Sequence, residues 1–260
     1  MDQHSTQALA QRLYDAAGAR RTIPMLTVEH PDLTEADAYQ VQDALVDLHL
    51  RAGATRVGVK LGLTSKAKQR EMGIDVPIVG VLLDSLSIDP GVPFRIAALG
   101  QARAEPEIAF LLARDLEGPG VTAAHVLAAT EGVLPALEIL DSRYDDYRFT
   151  LPDVVADQTS AGRFILGGQL TSPHGFDLRL TGCVLSKNGD VAATAAGAAV
   201  SGHPASAVAW LVRWLAERGR GLRAGDIVLS GGMTAVVPLA AGDVVSASFD
   251  RLGTVTLACR

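Results

Sequence analysis

The sequence predicts an α+β fold, mainly β, and three observations carry that expectation. The first fifty residues place apolar side chains at helical spacing. The remainder breaks into short apolar runs punctuated by glycine and proline, which favours strands. Those runs show no regular alternation of strand and helix, so a mainly β body is expected, with helices at its N-terminal end and against its side.

Element by element, Leu9, Leu13 and Ala17 recur at helical spacing. Thr34 opens a second helix with Asp37 three residues on, a weak match to a capping box; Tyr39, Ala44, Leu45, Leu48 and Ala52 continue it, and Gly53 supplies a stop. Strands are expected over 55–64, 79–88, 103–113, 133–141, 162–170, 178–186, 190–195, 226–231 and 243–257, the last with an internal turn. Asn188, the only asparagine, precedes Gly189 between two such runs, a strong hairpin signal. The run "PASAVAWLVRWLAER" predicts a helix over 204–218 closed by Gly219, with Trp210 and Trp214 packed in the core and His203 helping to start it. Cys183 reads as a small buried hydrophobe. A division near residue 75, into a helical and strand region (1–75) carrying Lys60 and a catalytic body (76–260), stands beside a single-domain reading.

At 48% hydrophobic and 20% charged, the chain can bury a substantial core. The net charge of −6 and the lack of any basic run argue against a nucleic-acid partner. No apolar run is long enough to span a bilayer, and the N-terminus lacks the apolar stretch of a signal peptide, so a soluble, cytoplasmic protein with no membrane partner is expected. Two cysteines with no CxxC spacing suggest no disulfide framework. Phosphate-loop, GxGxxG, HExxH and GxSxG patterns are all absent.

Two stretches carry chemistry. In "VGVKLGLT" (57–64), Val57, Val59, Leu61 and Leu63 share one strand face, leaving Lys60 between Gly58 and Gly62 on the other. Glycine there marks a close approach of a ligand or another backbone; the plain alternative is a surface lysine. In "RAEPEIAFLL", Glu105 and Glu107 share a face, while Pro106 suggests the beginning of a strand or an edge. Glu138 lies among apolar neighbours in "VLPALEILD". Three buried carboxylates repel one another unless a cation neutralises them, and oxygen ligands suit Mg²⁺, with Mn²⁺ the second choice. The alternative leaves Glu105 exposed at a strand end and pairs Glu138 with Arg103 or Arg143.

These segments, together with "GVKLGLTSKAKQREMGIDVPIVGVL", "VLPALEILDSRY", "LPDVVADQTSAGRFILGG" and "GDIVLSGGMTAVVPLAAGD", resemble the hydratase/decarboxylase branch of the fumarylacetoacetate hydrolase superfamily over about residues 35–257. The resemblance implies a mixed β-roll with peripheral helices and Glu105, Glu107 and Glu138 as Mg²⁺ ligands. It implies catalytic roles for Lys60, Asp75 and Ser160, and substrate contacts from Gly62, Leu63, Gln158 and Thr159. The glycines beside Lys60 would then clear space for substrate. Gln158 stands where the family commonly has asparagine, so an altered substrate is expected at that point.

The implied activity is decarboxylation of 2-oxo-3-hexenedioate to 2-hydroxypenta-2,4-dienoate in aromatic meta-cleavage catabolism. Hydration of the latter compound is the alternative. Asp141-Ser142-Arg143-Tyr144 and Gly231-Gly232-Met233-Thr234 favour the decarboxylase. Lys60 and the run Gln158-Thr159-Ser160 are the expected partners of the second carboxylate of a small 2-oxo dicarboxylic acid. Hydrolysis of a C–C bond falls behind because no histidine occurs between His49 and His125. A non-catalytic partner subunit would be expected to lose Lys60 or an acid, and none is lost. The resemblance further implies a homo-oligomer and a complex with the companion hydratase or decarboxylase.

Overall fold

The computed structural model describes residues 1–260 apart from the side chain of Glu71. Its chain opens with α1 (Gln3–Ala19), the single turn α2 (Leu26–Glu29) and α3 (Glu35–Arg51). The Thr34–Asp37 capping box is complete, and Gly53 follows the helix at φ +100°. Leu9, Leu13, Val41 and Leu45 pack these helices together and onto Tyr144, Val154 and Val155.

The strands then form two sheets. The larger contains β1 (Arg56–Gly62), β2 (Ile78–Leu83), β3 (Arg103–Leu112), β4 (Thr130–Leu140), β5 (Ala161–Leu166), β8 (Ile227–Leu229) and β9 (Val237–Pro238). Its order is β2-β1-β8-β3-β4-β5, with β9 added to β3. Only β1 and β8 run parallel; the other pairs are antiparallel. The smaller sheet has the order β11-β10-β6-β7, from β6 (Gly182–Lys187), β7 (Asp190–Ala196), β10 (Val244–Phe249) and β11 (Gly253–Ala258). Asn188 and Gly189, at φ 56° and 91°, turn β6 into β7 as their dipeptide predicts.

Between the sheets, Ile108, Phe110, Leu137, Leu185, Val245 and Leu257 join the apolar face of α7 (Pro204–Ala216) in the main core. Trp210 and Trp214 pack against that core, and Nδ1 of His203 caps the helix by accepting from Ala205 N–H. Cys183 is buried, which pushes its thiol up to about 12.

The α+β expectation and the β-roll type hold. The sequence reading lacked α2 and three other short helices, α4 (Lys66–Met72), α5 (Ala123–Ala129) and α6 (Leu151–Ala156). Residues 178–180, expected in a strand, form a 3-10 turn, and β2 stops at Leu83. A boundary at residue 75 would fall inside the β1–β2 connection, and β1 also pairs with β8; Lys60 therefore belongs to the same sheet as the acids.

Pro106 is not at an edge but inside β3. Its flank lies in the gap between the β8 pairing at Ala109–Leu111 and the β9 pairing at Arg103–Ala104. A residue's N and C=O point to the same side of a strand, and the Pro106 carbonyl there accepts from Met233 N–H, so no ladder donor is missing.

Candidate active site

The β3–β4 register sets Glu105 opposite Glu138 and Glu107 opposite Ala136, on one face. That face therefore carries three buried carboxylates, each with one oxygen within 4.8 Å of the others. Lys60 reaches them from β1, which is separated from β3 by the short β8. Its Nζ is 2.5 Å from Glu138 Oε1 and donates to the Thr159 carbonyl at 2.8 Å. Lys60 is only 1% exposed, so it is neither a surface lysine nor free. Lys68, from α4, pairs with Glu105. Gly231 N–H donates to Glu107 Oε2 at 2.6 Å. Of the other three oxygens, Glu107 Oε1 and Glu138 Oε2 are buried without a partner.

Burial, then Glu138 and Glu105, push the Glu107 carboxyl well above its ordinary range, against Lys60 and the Gly231 N–H. Burial likewise raises Glu138, against Lys60. For Lys68, burial favours the neutral amine, but Glu105, Glu107 and Glu138 together outweigh it and hold the ammonium. A pocket of buried oxygens short of positive charge, two of them unpartnered, fits a hard divalent cation.

A cavity of about 330 Å³ opens beside the acids, lined by Lys60, Gly62, Leu63, Lys68, Arg103, Glu105, Thr159 and Ser160 and closed by apolar side chains including Leu140, Phe149 and Val154. Thr159 and Ser160 belong to an unusual turn: Gln158, Thr159 and Ser160 all have left-handed φ, 54°, 52° and 58°. Such conformations are disfavoured for side chains other than glycine, and most for a β-branched one, so the turn must be held from outside. Arg143 does this. It pairs with Asp157 and donates to the carbonyls of Asp157 and Ala161. Burial pushes the Asp157 carboxyl up to about 6 despite Arg143. Asp141 N–H donates to the Ser160 carbonyl. Asp141-Ser142-Arg143-Tyr144 is thus a brace behind the site. The hydroxyls of Thr159 and Ser160 are buried and unpartnered at the cavity.

Three expectations need correction. Asp75 is exposed and does not line the cavity. The Gln158 amide is consumed by β2, accepting from Val81 N–H at 2.8 Å and donating to its carbonyl at 3.3 Å, so it is unavailable to substrate. The glycines of β1 mainly admit protein: a Cβ on Gly58 would collide with the Ile227 carbonyl, and one on Gly62 would stand 2.9 Å from Ile78 Cγ1. The glycine that makes room for the lysine is Gly80, paired with Lys60, where a Cβ would meet Thr159 Oγ1 at 2.6 Å and Lys60 Cγ at 3.1 Å. Gly80, Lys68 and the cavity-lining Tyr147 escaped the sequence reading, and Arg103 entered it only as a possible partner of Glu138. For Lys68 a signal existed, since Ser65 and the left-handed Gly73 bracket α4. Glu138 pairs with neither Arg103 nor Arg143.

A profile described as "Fumarylacetoacetate (FAA) hydrolase C-terminal" matches residues 55–258, the span that holds every one of these groups. The chain belongs to this family. Among family relatives, the 4-oxalocrotonate decarboxylase of Pseudomonas sp. (strain CF600) is 44% identical, over 96% of this chain and 94% of its own. The 2-hydroxyhexa-2,4-dienoate hydratase of Comamonas testosteroni is 42% identical over 98% of each. The structure of 4-oxalocrotonate decarboxylase from Pseudomonas putida G7, complexed with magnesium and adipate, superposes with a TM-score of 0.97 at 40% identity, covering 100% of this chain and 99% of that one. Decarboxylases and hydratases of the family are both lyases, and this chain is a lyase. Among the described residues, no helix is long and apolar enough to cross a membrane.

Proposed function

We propose that the protein decarboxylates 2-oxo-3-hexenedioate to 2-hydroxypenta-2,4-dienoate, using Mg²⁺ held by Glu105, Glu107 and Glu138. The ion supplies Lewis acidity to the oxygens of a 2-oxo acid. The observation that carries the choice of reaction is charge. With a divalent ion bound, the three carboxylates and the cations Lys60, Lys68 and Arg103 would leave two positive charges at the cavity, which a dicarboxylate balances and a monocarboxylate does not.

In the reaction the C5–C6 bond breaks and C6 leaves as CO₂. The released electron pair moves through the double bond to the ketone oxygen, which takes a proton. Lys60, pinned between Glu138 and the Thr159 carbonyl, holds a proton at Nζ at the acid-cluster end of the cavity, where the ketone oxygen would lie. Thr159 and Ser160 offer the unpartnered hydroxyls that orient the substrate. Gly62 and Leu63 line the cavity beside Lys60, and its apolar Leu140, Phe149 and Val154 offer no hydrogen bond to hold a water that would compete at C4.

Hydration of 2-hydroxypenta-2,4-dienoate is the second reading. The apolar Leu140, Phe149, Val154 and Val236 suit its neutral vinyl end. Incubation of purified protein with each compound separates the two. CO₂ release from 2-oxo-3-hexenedioate, abolished by chelator and restored by Mg²⁺, is expected; rapid formation of 4-hydroxy-2-oxopentanoate without CO₂ would make the enzyme the hydratase.

A further inference from the structure

We infer that Arg103, stacked on Tyr147, receives the substrate's second carboxylate and makes the site select dicarboxylates over monocarboxylates. This deepens the proposed function and rests on it for the substrate's identity.

Arg103 lies two residues before Glu105 on β3 and so shares its face, opposite Leu140 as Glu105 is opposite Glu138. Along a strand that step is ~7 Å. The cavity thus has an acid cluster for the metal at one end and a guanidinium one step away, joined by the apolar Leu140, Phe149, Val154 and Val236. A six-carbon chain with a carboxylate at each end has that polarity. The other two cations are committed, Lys60 to Glu138 and Lys68 to Glu105. Among the described residues Arg103 has neither a carboxylate partner nor a side-chain hydrogen bond, although it is half-buried.

Its position is built. The guanidinium carbon sits 3.7 Å from the Tyr147 ring centroid. Tyr147 is fixed in turn, its hydroxyl donating to the Gln101 carbonyl at 2.9 Å. The Gln101 amide donates to the carbonyls of Ser142 and Tyr144 at 3.0 and 2.8 Å. Asp146 and Tyr147 both adopt left-handed φ, 55° and 58°, a strained arrangement that brings the ring under the guanidinium. Stacking occupies one face of the guanidinium and leaves its N–H fork, the part that matches a carboxylate in bidentate fashion.

The test uses the Mg²⁺-loaded full chain and two unreactive probes, adipate and hexanoate, with calorimetric affinities alongside decarboxylation kinetics. Wild type should prefer adipate. Arg103→Met should weaken adipate roughly 10- to 100-fold and raise KM for 2-oxo-3-hexenedioate by a similar factor, while hexanoate loses little. Arg103→Lys, which keeps the charge without the fork or the stack, should fall between. Retained Mg²⁺ and hexanoate binding report a folded site. Should Arg103→Met fail that control, Tyr147→Leu must still lower the ratio of adipate to hexanoate affinity. An undiminished adipate preference in the folded variants overturns the inference, even if wild type releases CO₂. If wild type instead hydrates the five-carbon dienoate, the proposed function fails, and the adipate-to-hexanoate ratio still decides the role of Arg103.

Discussion

Lys60→Met should destabilise the metal-free protein far more than the loss of a surface lysine would. Lys60 and Glu138 are each 1% exposed, and their charges meet at 2.5 Å. Methionine keeps most of the volume and removes the charge, so Glu138 is left buried and uncompensated beside Glu105 and Glu107. Removing one partner of a buried pair costs about 3–5 kcal/mol. At ~2–4 °C per kcal/mol for a chain of this size, Tm should fall by roughly 6–20 °C. The assay is thermal and urea denaturation in chelator of wild type, Lys60→Met, Glu138→Gln and the double variant. Replacing both charges by neutral groups of similar shape is close to neutral, so the double variant should recover most of the loss, with a coupling of about 2 kcal/mol or more. Saturating Mg²⁺ should also recover stability in Lys60→Met, because the ion supplies the missing charge. A single variant within ~0.5 kcal/mol of wild type in chelator, or strictly additive effects, would refute the reasoning.

Gln158→Asn should act on stability and not on substrate choice: the shorter amide loses Val81, costing about 1–3 kcal/mol in urea denaturation, while relative kcat/KM for five- and six-carbon acids stays constant. Gly80→Ala should lower kcat and destabilise by ~1–3 kcal/mol, because the new Cβ meets Thr159 Oγ1 at 2.6 Å and the Gln158 carbonyl at 2.9 Å; wild-type turnover and melting would show that the turn can yield. Lys187, Asn188 and the Ala240 N–H hold the Asp243 carboxyl down to about 2 from 3.8. Its contribution to stability is therefore present above 3.8 and lost as pH falls through about 2, and Asp243→Asn should flatten the acid limb of a stability–pH curve in that window.

Local periodicity made part of the fold and site legible in the sequence. Two-residue spacing put Glu105 and Glu107 on one face, the Thr34–Asp37 spacing marked a helix start, and Asn188-Gly189 marked a hairpin. The hidden part depends on pairing between distant segments. Arg103 looked like a partner for Glu138 because only the β3–β4 register shows that it stands opposite Leu140 instead. Lys68 rides on a seven-residue helix, too short for apolar periodicity to reveal. The Gln158 amide turns away from the cavity because three successive residues are left-handed, a conformation that no local preference of Thr159 would suggest. Asp75 aligned by its neighbours in sequence, but the segment before β2 leaves it in solvent.

Pro106 also bears on how the site comes to be assembled at all. If β3 slipped by one residue against β4, Glu105, Glu107 and Arg103 would all turn into the apolar core between the sheets, at prohibitive desolvation cost. A slip by two toward β9 would keep their side but bring the ring nitrogen to the place where Ala104 now meets Val237. A proline has nothing to donate there. The mispaired arrangements are thus closed off by charge in one case and by a missing hydrogen in the other. The acids should find their mutual positions as the sheet zips, before any ion arrives, so that metal enters a finished socket and does not have to organise one.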